Sequence, residues 1–394
     1  MRGTPVTDPW EDQSERAVDE ARAARRAEAR RRRYRRRRGL ALAVVAAVVV
    51  IVAIIALGGG SSRPRPRTNG RTGAPAGTQA STAIQVVAAG TLPAPVQFPA
   101  AAALADGRVV LLGGLDGSEN STAAITTLSG GRSMPNGALP VPQHDAQAAT
   151  LANAVFLFGG GAVESYDHIL RFDPATGQVT QAGRLPEPAS DVAVASIGDR
   201  AYVIGGYNGT SALDTIVAWS PGEPARVVAH LPASLRYAAA ASVDGRVIVA
   251  GGSRGETPED EILSFDPATG AVTRVGHLPA PLTHATAATL GSTVYVVGGR
   301  GGGAGSQTAT VLAIDSRSGL VRPAGRLPLG ISDAAAVATQ GAIVVAGGRA
   351  AAGAQAEVFR VQPVKPLESG EFALCGGVPG ATNLNVCYGF GVRR

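Results

Sequence analysis

The sequence predicts an all-β fold, a six-bladed β-propeller preceded by one transmembrane helix, and three observations carry that prediction. An apolar run ending in Gly-Gly occurs six times, as VVLLGG, VFLFGG, AYVIGG, VIVAGG, VYVVGG and IVVAGG. The glycine pairs fall at Gly113 and Gly114, Gly159 and Gly160, Gly205 and Gly206, Gly251 and Gly252, Gly298 and Gly299, and Gly347 and Gly348, spaced 46, 46, 46, 47 and 49 residues apart. Residues 39–57, GLALAVVAAVVVIVAIIAL, form a stretch of nineteen without a charge, directly behind a cluster of arginines.

Residues 1–38 hold thirteen arginines against seven acids, and the remaining 23 basic and 23 acidic residues cancel, so the formal charge of +6 belongs to this tail. Charge that stops at the tail gives no reason to expect nucleic acid as a partner of the folded part. At 1.5 Å per residue the apolar stretch spans roughly 28 Å, about the hydrocarbon thickness of a bilayer. Eight arginines in the nine positions 30–38 precede it, and the denser basic flank stays inside. The expected topology is a signal anchor: a single-pass plasma-membrane protein with a cytoplasmic amino terminus and an extracytoplasmic remainder. A cleaved signal peptide is the alternative, but its apolar region is usually shorter and nearer the start.

Residues 58–83 are rich in Gly, Pro, Ser and Thr and read as a disordered stalk. The repeats follow, over 84–365. Each unit opens with a small-residue run such as PAAAAL or AAAASV, then a tight turn (ADGR, IGDR, VDGR, LGST) and the Gly-Gly strand. Asp-Gly and Gly-Asp/Ser between short apolar runs mark two-residue hairpins. A loop of variable length leads to a third strand, as in HILRFDPATG and EILSFDPATG, and a turn leads to a fourth, as in QVTQAGRLP. Four antiparallel strands per unit, with alanine on the innermost where six sheets crowd one axis, favour propeller blades. The last unit has no GRLP exit, while an orphan VVAAGTLP precedes the first unit at 86–93. The orphan is expected to be the fourth strand of blade 6, removing an open edge.

This grammar resembles the kelch family over residues 84–363: a small-residue inner strand, a strand ending in Gly-Gly, an FDP-like third strand and an LP exit. The tryptophan usual on the fourth strand of kelch units is missing, and among the six units only Tyr202 and Tyr295 keep a tyrosine three residues before the glycines. The resemblance implies a propeller that binds ligands, and because similar propellers include sugar-active enzymes it also implies an alternative activity. The glycines themselves read as structural, since no helix start follows any pair to make a phosphate cradle.

Turns alternate faces in an antiparallel blade, so the irregular second-to-third loops gather on one side, where binding is expected. Aligning the units places one residue per blade at the mouth of the central channel: Phe98, Asp145, Asp191, Tyr237, His284 and Asp333. His144 and Arg236 stand one position earlier, and Tyr207, Arg254 and Arg300 follow glycine pairs. Together they predict a polar pocket. In the bland reading, the aspartates only accept hydrogen bonds from loop amides. The expected function is a membrane-anchored extracytoplasmic module binding protein, peptide or glycan. The alternative is a carbohydrate-active enzyme using His284 with Asp191 or Asp333 as acid and base. A copper-radical oxidase is disfavoured because the cysteines lie beyond the ring, and no metal and no cofactor are expected. Those cysteines, Cys375 and Cys387 in the 366–394 tail, predict a disulfide, with two free thiols as the alternative.

Overall fold

A computed structural model describes residues 84–303 and 305–364, together with the backbone of 372–377 and 385–390. The arginine-rich tail, the expected transmembrane helix at 39–57 and the stalk lie outside the described residues. Among the described residues no helix is long and apolar enough to cross a membrane; every named element there is a β-strand.

Six four-stranded antiparallel sheets account for the ring. Blade 1 contains Ala100–Ala103, Val109–Leu112, Thr122–Ser129 and Arg132–Gln143, and blade 2 contains Gln147–Leu151, Ala154–Phe158, His168–Phe172 and Val179–Arg184. Blade 3 follows with Ala193–Ile197, Arg200–Ile204, Thr215–Trp219 and Arg226–His230, and blade 4 with Ala239–Val243, Arg246–Ala250, Glu261–Asp266 and Ala271–His277. Blade 5 is Thr286–Leu290, Thr293–Val297, Thr310–Asp315 and Val321–Arg326. Blade 6 takes Ala335–Thr339, Ala342–Ala346 and Glu357–Pro363 from one end of the ring and Ile84–Thr91 from the other, with Val86 opposite Val361. Closure by the orphan strand is therefore as the sequence predicts.

Each strand's composition follows its distance from the axis. Second strands are buried on both faces between neighbouring blades, so Ala154–Phe158 is apolar throughout, and in Arg200–Ile204 and Arg246–Ala250 only the first residue is polar and exposed. Fourth strands such as Val179–Arg184 lie at the rim and are mostly half-buried or exposed. Six hydrophobic cores result, one between each pair of adjacent blades, and the last, with Leu92, Ala101, Leu111, Ala346 and Val358, joins blade 6 to blade 1. Trp219, on the third strand of blade 3, is fully buried between blades 2 and 3, its ring centroid 4.9 Å from Phe156 and 5.6 Å from Phe158.

The turns mostly follow their chemistry. Val243 pairs with Arg246 across Asp244 and Gly245, both at positive φ (49° and 74°), the two-residue hairpin expected. Blade 1 departs from it. There the Leu104 amide donates to the Arg108 carbonyl across three residues, Gly107 takes φ 89°, and the Asp106 carboxylate accepts from the Arg108 backbone and guanidinium. A second feature was not anticipated: the third-to-fourth strand pairing shifts register at Ile169/Leu170, Ile216/Val217, Ile262/Leu263, Val311/Leu312 and Ala88/Gly90. This repeated bulge adds local twist to the outer edge just before the LP exit.

The glycine pairs turn out to be inter-blade joints. In every blade the second glycine donates its amide to a carbonyl leading into the next one, as in Gly160 to Ala189 (2.8 Å) and Gly206 to Leu235 (2.8 Å). At Gly205, φ is 58° and a Cβ would run into the Leu235 carbonyl oxygen, so no other residue lets the two chains meet.

Candidate functional site

The six residues aligned from the sequence do come together. Phe98, Asp145, Asp191, Tyr237, His284 and Asp333 stand where each connector turns into an inner strand, and all six are in the left-handed region, at φ 53° to 60°. That conformation costs a residue with a side chain about 1 kcal/mol or more. Here it is held by neighbours: the amides of Asp191, Tyr237, His284, Asp333 and Phe98 donate to the carbonyls of Asp145, Asp191, Tyr237, His284 and Asp333, respectively, at 2.8–3.1 Å. The result is a narrow neck of linked backbone above a cavity of about 410 Å³ walled mainly by alanine.

Side chains fill the neck. The Asp191 carboxylate, 5% exposed as a residue, is held by the Arg236 guanidinium. Arg236 in turn lies 4.2 Å over the Tyr207 ring and 5.1 Å from that of Tyr237. Tyr237 stacks on His284 with centroids 3.8 Å apart. Arg300 Nη2 lies 3.0 Å from His284 Nε2, and Thr283 Oγ1 lies 3.0 Å from Nδ1. A guanidinium only donates, so Nε2 accepts and Nδ1 carries the proton. Burial pushes His284 down to about 3, helped by the positive charges of Arg300 and Arg236.

Carboxyls move the other way. Burial pushes Asp333 up to about 6, against the opposing hydrogen bond from Ser332 and the charges of Arg300 and Arg349. Burial also holds Asp145 well above the carboxylate range, followed by the Asp191 charge and a hydrogen bond to Asp191. Asp145 Oδ2 lies 3.5 Å from Nε2 of His144, whose Nδ1 meets Ser121 Oγ at 2.9 Å. Burial lowers the His144 pKa, partly opposed by Asp191. None of the three aspartates takes the loop-amide role of the bland reading: Asp191 binds a guanidinium, Asp333 accepts from a hydroxyl, and Asp145 lies against the His144 imidazole.

Arg254 is the candidate that does not belong to the neck. It sits in a small hairpin, Ser253–Arg254 with Thr257–Pro258, and pairs with Glu261 (2.7 Å) and Glu259 (3.7 Å). Arg349 was overlooked, although its place after a glycine pair matches those of Tyr207 and Arg300. It bridges Ser332 through its backbone and donates to Gln97 Oε1 (3.1 Å) and Glu119 Oε1 (2.9 Å). Among the described residues no group of three or more His, Cys, Asp or Glu side chains is arranged to hold a metal ion.

Comparison with known proteins agrees with this architecture. The family model for the Kelch motif matches residues 188–223 and 234–279, which fall in blades 3 and 4. With the six-bladed ring, this makes the chain a kelch-repeat β-propeller. A solved structure titled "Structure of YjhT" is similar with a TM-score of 0.60 and 14% identity, covering 69% of this chain and 99% of that one, a likeness of fold alone. Comparison with curated proteins gave no match.

Proposed function

We propose that this propeller is a binding module that takes a protein, peptide or glycan ligand on its loop-rich face, at the end of a single-pass membrane anchor. The observation that carries the reading is the state of the neck's acid–base groups. His284 has both ring nitrogens occupied, and Asp191 is gripped by Arg236, so two of the three predicted acid–base groups, His284 and Asp191, are engaged in structural contacts. Around this fixed floor the second-to-third loops stand exposed, among them residues 117–120, 162–164, 254–256 and 351–352. Loops of unequal length on a rigid ring are the usual site of recognition. The anchor and its topology rest on the uncharged stretch 39–57 and its arginine flank.

Arrays of peptides and glycans probed with the full-length protein test the reading. Saturable binding without turnover, weakened by charge reversal at Glu119, Glu164 or Arg254, is the expected outcome; turnover abolished by Asp333→Asn would replace it with the enzymatic reading. One observation favours that second reading: Asp333 Oδ1 is buried without a hydrogen-bond partner, in a carboxyl pushed up to about 6.

The tail belongs to the same extracytoplasmic account. Phe372–Gly377 pairs antiparallel with Asn385–Phe390 and sets Cys375 directly opposite Cys387. Residues opposed in such a ladder have Cα atoms about 4.5–5.5 Å apart, within the span of a disulfide. Mass spectrometry of the unreduced protein should find neither thiol alkylated.

A further inference from the structure

Phe98 closes one end of the channel. Its ring centroid lies 6.4 Å from His144, 6.2 Å from Tyr237 and 5.9 Å from His284, which come from the approaches to blades 2, 4 and 5. Separations of that size are direct aromatic contacts. A side chain arriving between blades 6 and 1 therefore reaches the opposite side of the neck, and the loop-rich face is stoppered.

Beneath the stopper the cavity has two tiers. Ala101, Ala148, Val194, Ala240, Ala287 and Ala336 make an apolar waist. Lower down, Thr150, Ser196, Ser242 and Thr289 bring hydroxyls to the lining beside Ala338, which is exposed, so this end meets solvent. At the top stands Asp333, with its side chain 2% exposed. Its Oδ2 accepts from Ser332 at 2.6 Å, while Oδ1 has no partner. Asp145 lines the same end of the cavity.

An acceptor-only oxygen buried in this way calls for a donor, and a cation supplies the strongest one. The nearby arginines place their hydrogen bonds elsewhere: Arg236 on Asp191, Arg349 on Glu119, and Arg300 on the lone pair of His284 Nε2. The ring of Phe98, which lines the same cavity, adds an aromatic face that attracts a cation. The six side chains of the waist offer only methyl groups, which suit an alkyl chain, while Gln147 and Thr286 bring polar groups to the same lining.

We propose that the channel is a binding site for a slender alkylammonium ligand, which enters between Ser242 and Thr150 and sets its ammonium group against Asp333 beneath Phe98. This site is separate from the loop-rich face, so its failure leaves the proposed recognition role untouched.

Calorimetric titration of the full-length protein with n-butylammonium, and with 1-butanol as the uncharged counterpart, tests it. Single-site saturable binding of the ammonium is expected, weaker by at least ~10-fold in Asp333→Asn, as loss of a charge-assisted hydrogen bond implies. The alcohol should bind at least ~10-fold more weakly on the same ground. Ser242→Trp, which obstructs the open end without touching the neck, should abolish binding, and it decides the matter if Asp333→Asn does not fold. No saturable binding, binding indifferent to these substitutions, or equal affinity for the alcohol overturns the proposal.

Discussion

His284 Nε2 and Asp333 Oδ1 are 3.9 Å apart, and burial drives both groups toward their neutral forms. Their effects on stability have opposite signs. Asp333 is raised from 3.8 to about 6, so the folded chain keeps a proton that the unfolded chain has released, and stability falls as pH rises through that window. The gap corresponds to about 3 kcal/mol at most. Asp333→Asn should therefore raise the melting temperature at pH 7, with the gain shrinking to nothing near pH 4. His284 is lowered from 6.5 to about 3, so the unfolded chain takes up a proton first and stability is lost as pH falls through that range. Thermal melts of His284→Gln should show a flatter acid limb than the parent. Reading one position per blade found all six neck residues, because the period fixes their place. Their partners were less legible: Arg236 reaches Asp191 across blades, a contact that spacing within one unit does not reveal.

Joints between blades set the next scale. The glycine pairs were legible as close approaches, and each is a place where one blade's turn donates to a carbonyl on the way into the next blade. Gly205→Ala puts a methyl group into the Leu235 carbonyl at positive φ, and should cost several kcal/mol, on the order of 3, in denaturant unfolding. Gly209 also has positive φ, at 95°, but nothing stands near its missing Cβ, so Gly209→Ala should cost only about 1 kcal/mol. Equal losses would contradict the joint. The outer-strand bulges were illegible, since an extra residue such as Ala182 looks like any other rim alanine. The three-residue turn of blade 1 was missed for a related reason: Asp-Gly signals a turn without fixing how many residues it spans.

A ring of six blades needs six interfaces, and Ile84–Thr91 completes blade 6 by joining Glu357–Pro363, with Ile84 in the core between blades 5 and 6 and Ala89 and Leu92 in the core between blades 6 and 1. Ile84 is 8% exposed and Leu92 7%, and burying such side chains stabilises the fold by about 1.5–3 kcal/mol each. Removing residues 1–94 would also uncover an edge strand, so the shortened chain should melt at least ~10 °C lower and aggregate. The missing exit in the last repeat and the spare one before the first made closure readable from sequence. The stopper was not, because nothing in the chain tells which way Phe98 turns. Hydrogen exchange across residues 84–91 of the full-length protein tests the closed ring most directly. Protection matching that of Glu357–Pro363 is predicted; exchange of 84–91 within seconds, with 357–363 unprotected along that edge, would contradict it.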